Sequence, residues 1–114
     1  MLHIGLMGTD VFAVVAEPRR RDILEQLRRG PASVNDLVTR LELSQPMVSK
    51  HLKVLRDNGF VTSRPSAQQR IYHLNHEPLQ ELESWLLPYR EQWQRSFGAL
   101  HAHLDRPTPT QKDS

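Results

Sequence analysis

Through most of this chain the apolar residues recur at helical spacing, and in one short stretch they give way to two runs rich in β-branched and aromatic residues. From Thr9 the run TDVFAVVAEP is broadly apolar, with Thr9 or Asp10 placed to cap a short helix. In PRRRDILEQLRRG, Pro18 suits the first turn of a second helix, Ile23, Leu24 and Leu27 form an inward stripe, and Gly30-Pro31 ends it. Ser33 and Asp36 make a capping-box pattern ahead of Val34, Leu37, Val38 and Leu41, a buried face at offsets 0, 3, 4 and 7. A turn within Glu42 to Gln45 leads into LSQPMVSKHLKVLRDNGFV, residues Leu43 to Val61. Here Ser44 is a good N-cap, Pro46 is tolerated in the first turn, and Val48, Leu52 and Leu55 fall at i, i+4 and i+7 before the stop at Asn58-Gly59. Two short amphipathic helices joined so tightly predict a helix-turn-helix over about 34–58.

FVTSR and RIYHL come next, each rich in β-branched or aromatic residues and separated by PSAQQ. They predict a hairpin of two short strands with a five-residue loop, a wing over about 60–74. The fold class expected is therefore mostly α with a small β-hairpin, a winged helix-turn-helix domain spanning 9–104. Residues 1–8 carry two glycines and no period and are expected to be flexible. The polar, proline-rich stretch 105–114 is expected to be disordered.

Between Glu77 and Leu104 the apolar positions Leu79, Leu82, Leu86, Tyr89, Trp93, Phe97, Leu100 and Leu104 are spaced 3, 4, 3, 4, 4, 3 and 4, a heptad-like seam with one slip. Pro88 lies inside it, which predicts a helix to about Leu87, a kink, and a second helical piece. A domain already closed by three helices and a wing has little use for so long an apolar seam, and a partner chain would use it. A homodimer is expected, with Val11, Phe12, Leu86, Tyr89, Trp93, Phe97, Leu100 and Leu104 at its interface.

Charge changes the picture. The chain has 114 residues and a net charge of +2, unevenly spread. Residues 1–43 carry six basic and six acidic side chains, and residues 74–114 carry four and six. Between 44 and 73 stand Lys50, Lys53, Arg56, Arg64 and Arg70 against Asp57 alone. A local basic excess on and after a helix-turn-helix is the footprint of a nucleic-acid surface; a solvated helix face is the plainer alternative. Cysteine is absent, which removes disulfides, thiolate metal sites and thiol catalysis together. No apolar run approaches the roughly 20 residues of a membrane span, and MLHIGLMGTD lacks the basic and apolar regions of a secretory signal, so a cytoplasmic protein is expected.

With Val48, Leu52 and Leu55 turned inward, Gln45, Met47, Ser49 and Lys50 are the early outward residues that could meet base edges in a major groove. Gln pairs with adenine, Lys with guanine, and Met packs on a thymine methyl. Lys53 and Arg56, further along, suit phosphates, which set register without reading sequence. Ser33 and Ser44 cap helix N-termini, where phosphate also binds; capping alone is an equal reading, and the two are compatible. His51 borders the buried face, so it reads first as a partly buried, hydrogen-bonded histidine and second as a DNA contact. In the wing, Arg64 and Arg70 flank the loop tip and could straddle phosphates or enter the minor groove, assisted by Gln68 and Gln69. Arg19, Arg20 and Arg21 lie near acids of their own helix and read mostly as surface ion pairs.

The run AEPRRRDILEQLRRGPASVNDLVTRLELSQPMVSKHLKVLRDNGFVTSR closely resembles the ArsR-type winged helix-turn-helix transcriptional regulators, most specifically in SQPMVSKHLKVLRDNGFV and EPRRRDIL. The resemblance is strong over residues 13–74 and looser in the last helix. It implies a homodimer that represses transcription by binding an inverted-repeat operator in double-stranded DNA, and that releases it on a signal such as a small-molecule effector. It also implies that Gln45, Met47, Ser49 and Lys50 lie in the major groove and that the Arg64–Arg70 hairpin is the wing. Two departures stand out. PSAQQ lacks the glycine and dense basic charge common in such wings, and the cysteines that bind soft metals in many members are missing.

A zinc- or nickel-responsive repressor is the first alternative. His101 and Asp105 fall at i, i+4 and could supply two ligands, whereas His101 and His103 point apart on a helix. His73 and His76 straddle a strand-to-helix junction. No further ligand pair follows, so no metal and no cofactor are expected. The second alternative is a winged helix that binds protein, against which the basic patch argues. An enzyme is not expected, because no phosphate loop, thiol nucleophile or Ser, His and carboxylate grouping is present.

Overall fold

A computed structural model describes residues 10–105, with side-chain surroundings to Gly98. The 1–8 segment, expected to be flexible, and all but Asp105 of the 105–114 stretch, expected to be disordered, lie outside the described residues, as do the side chains of Leu100, His101, His103, Leu104 and Asp105. Among the described residues, five helices and three strands follow in the order α1 (Val11–Ala16), α2 (Pro18–Arg29), β1 (Ala32–Ser33), α3 (Val34–Leu41), α4 (Gln45–Asp57), β2 (Val61–Ser66), β3 (Gln69–Leu74) and α5 (Glu77–Asp105). The arrangement is the expected winged helix-turn-helix.

Local chemistry sets the boundaries. Asp10 caps α1 by accepting the Phe12 N–H at 2.9 Å. Ser33 and Asp36 close a reciprocal box at α3: the Asp36 N–H donates to Ser33 Oγ at 3.1 Å and the Ser33 N–H to Asp36 Oδ2 at 3.0 Å. The turn into α4 is tight because Glu42 adopts left-handed backbone (φ 56, ψ 44) at the end of α3. At the far end of α4, the Phe60 N–H reaches Leu55 O at 2.8 Å and the Gly59 N–H reaches Arg56 O at 3.0 Å, with Gly59 at φ 79. That pair of bonds is a Schellman motif, and Phe60 and Leu55, both fully buried, supply its hydrophobic contact.

Around these ends a single core forms from Ile23, Leu27, Leu37, Val48, Leu52, Leu55 and Phe60, with Val61 and Tyr72 brought in by the hairpin. Val11 and Val15 of α1, and Leu79 and Leu82 of α5, pack partly against it. After Leu82 the described chain divides into a second compact unit. Within that unit the rings of Trp85 and Tyr89 lie 4.9 Å apart, and Trp93 and Phe97 are 55% and 61% exposed.

Four expectations need correction. The wing is a three-stranded antiparallel sheet ordered β1-β3-β2, because Ala32 and Ser33 pair with Tyr72 and Ile71. Its loop is two residues, Ala67 and Gln68, with the strands running on to Ser66 and Gln69. Pro65 is accommodated because β2 is an edge strand, where a missing N–H need not interrupt the ladder. Pro88 does not divide the last segment: α5 is one helix with the proline inside it. Lastly, only Arg19 of the arginine run makes an ion pair within its helix, at 3.0 Å to Asp22. Arg20 donates to Val14 O at 2.8 Å and Arg21 to Val15 O at 2.7 Å, so both satisfy carbonyls at the end of α1.

Candidate nucleic-acid interface

Two sides of α4 differ in kind. Val48, Leu52 and Leu55 are buried, whereas Gln45, Ser49, Lys50, Lys53 and Arg56 are exposed and Met47 is 41% exposed. Ser44 Oγ accepts the Met47 N–H at 3.3 Å, which fixes the start of α4 and presents Gln45 and Met47 in its first turn. Ser33 is only 2% exposed and its hydroxyl is committed to the α3 cap.

The cations on this front are not equivalent. Lys53 donates to Asp57 at 2.7 Å, and Arg56 lies 3.9 Å from the same carboxylate. Asp57 is consequently held below the usual carboxylate range, mainly by the hydrogen bond from Lys53. Lys50, Arg64 and Arg70 make no ion pair among the described residues. His51 is half-buried and turns its Nδ1 toward Arg20, 3.5 Å away. Burial and the Arg20 guanidinium lower its pKa; Lys50 and Arg19 act in the same direction, and Glu17 opposes them.

Strand register separates the two wing arginines. Arg64 pairs with Ile71 and Arg70 with Pro65, so the hairpin presents them on opposite faces. Arg70 shares its face with Tyr72 and lines an open cleft of about 500 Å³ between the wing and the helix-turn-helix. Asn35 at the start of α3, Gln45 at the start of α4, and Gln68 and Gln69 at the loop also line it. Asn35 carried no signal of its own in the sequence; only the fold sets it beside the wing.

Of the expected dimer residues, Phe12, Leu86, Tyr89, Trp93 and Phe97 are exposed, while Val11 is half-buried against the core. Among the described residues no group of three or more His, Asp or Glu could hold a metal ion, and no helix is long and apolar enough to cross a membrane.

Residues 17–63 match the family model described as bacterial regulatory protein, arsR family. The chain is 40% identical over 94 residues to the HTH-type transcriptional regulator Rv2034 of Mycobacterium tuberculosis, a match covering 82% of this chain and 85% of that one. It is 39% identical over 67 residues to the arsenical resistance operon repressor of Staphylococcus xylosus, covering 59% of this chain and 64% of that relative's length. Among solved structures, an ArsR-like transcriptional regulator from Rhodococcus sp. RHA1 aligns with a TM-score of 0.63 at 30% identity, over 80% of this chain and 86% of that one.

Proposed function

The chain belongs to the bacterial arsR family of regulatory proteins, which makes it a DNA-binding transcriptional regulator, and we propose that it acts as a homodimeric repressor on an inverted-repeat operator. The observation that carries this reading is the front of α4. A helix fully buried on one side sets an amide, a thioether, a hydroxyl and an unpaired ammonium outward in its first turn and a half. Gln45, Met47, Ser49 and Lys50 are assigned to base edges in the major groove, and Lys53 and Arg56 to phosphates. Gln69 and Arg70 extend the contact from the cleft side of the wing, and Arg64, on the opposite face of the hairpin from Arg70, takes no direct part in it. Ser44 positions Gln45 and Met47 through its cap, and Ser33 steadies α3 in the same way. His51 serves the reading helix from behind, through Arg20, and does not contact a base.

The dimer is assigned to the exposed aromatic and aliphatic positions of α5, with Phe12 added from α1. Two copies would present two reading helices to half-sites about one helical turn apart, or a multiple of it. Base reading is tested by Gln45→Ala. It should cost on the order of 1–3 kcal/mol on the operator and little on random duplex. Equal losses on both would assign Gln45 to the backbone.

A further inference from the structure

We propose that the cleft between the wing and the helix-turn-helix seats one backbone phosphodiester of duplex DNA, with Arg70 as its cation and Asn35 as a neutral donor from the opposite wall. This inference rests on the DNA-binding reading and gives Asn35 a role in it. Three elements meet at the cleft: the start of α3, the start of α4 and the inward face of the hairpin. Arg70 is the one Lys, Arg, Asp or Glu among the lining residues, and it is free of any ion pair among the described residues. The nearby Asp36 does not line the cleft; its carboxylate is turned onto the Ser33 N–H. A pocket with a single unneutralised guanidinium and several amides suits one phosphodiester better than a strongly charged anion.

The position agrees with the chemistry. Gln45 lines the same cleft while standing at the head of the reading helix. A DNA strand whose bases meet α4 thus has its backbone led into the cleft beside Arg70. Asn35 occupies the second position of α3, where the backbone N–H has no intrahelical acceptor and the helix dipole favours negative charge. Arg64 cannot share this task, because it stands on the other face of the hairpin.

The division between the two arginines makes the test. Binding of the full-length protein to a random-sequence duplex is measured against salt for wild type, Arg70→Ala, Arg64→Ala, Asn35→Ala and Asn35→Asp, with thermal melts to confirm folding. Arg70→Ala should weaken binding on the order of tenfold and flatten the dependence of log K on log salt by about one unit. Arg64→Ala is charge-matched and should leave that slope nearly unchanged. Asn35→Ala should lower affinity without altering the slope, and Asn35→Asp should lower it further by setting a carboxylate against the phosphate. Equal slope losses for the two arginines, or an Arg70→Ala protein that behaves as wild type, would overturn the cleft assignment while leaving DNA binding intact. Wild-type protein that fails to bind duplex at any salt would overturn the DNA reading and the cleft together.

Discussion

The two longest helices use the same period to opposite ends. In α4 the apolar positions Val48, Leu52 and Leu55 are buried and the polar positions face out. In α5 from Glu83 to Gly98 every position is exposed, the apolar Leu86, Tyr89, Trp93 and Phe97 included. Periodicity selects a face; it does not say what covers it. The core closes the first face, and the second is an apolar stripe of a kind that monomers rarely leave open.

The sharpest contrast comes from truncating each face. Leu52→Ala should cost about 2–5 kcal/mol in urea unfolding, because it opens a cavity in a fully packed core. A loss below about 1 kcal/mol would mean that the face is not held as described. Trp93→Asp should instead leave each chain folded and halve the mass in solution, weakening operator binding more than any single DNA contact does. An unchanged mass by sedimentation would overturn the proposed dimer seam on α5.

A smaller effect probes the seam behind the reading helix. His51 has a folded pKa lowered from its ordinary value of 6.5, by burial first and Arg20 second. As pH falls below that value the unfolded chain takes up the proton before the folded one, so stability is full above it and is lost toward the depressed folded value. Wild type should therefore lose more stability than His51→Gln between about pH 7 and 5. Parallel losses would show that the contact with Arg20 leaves the histidine unperturbed. The smallest effect belongs to the wing. Ala67 is the first residue of a two-residue turn and has φ 58, which L-residues adopt at a cost of roughly 1–2 kcal/mol. Ala67→Gly should raise stability by about 0.5 kcal/mol after the entropic cost of glycine, read from the thermal midpoint.

Much of the fold was legible because local chemistry agreed with the pattern. Asp10, Ser33 and Ser44 cap the helices they were expected to cap, Pro18 opens α2, and Asn58-Gly59 ends α4. What escaped depends on contacts between elements. Ala32 and Ser33 make a strand too short to show alternation and exist as one only through β3. Arg20 and Arg21 find carbonyls whose position follows from how α1 meets α2. The wing carries the larger lesson. A five-residue loop would set Arg64 opposite Arg70 on one face, whereas the two-residue loop moves the register by one residue and sends them to opposite faces. PSAQQ contains a proline, which argues against a strand, and no glycine to mark the positive φ at Ala67, so the tighter turn left no trace in the residues. The front of α4 was readable; Asn35 was not, since nothing in its neighbours along the chain says that the wing will face it.

The most direct test is selection from a pool of random-sequence duplexes by the full-length protein, repeated with Gln45→Ala. A regulator that reads bases through α4 should enrich one inverted repeat, its half-sites about one helical turn or a multiple of it apart, and Gln45→Ala should relax the preference at a defined position in each half-site. A pool that binds in proportion to charge and salt alone, with no motif enriched, would contradict the account.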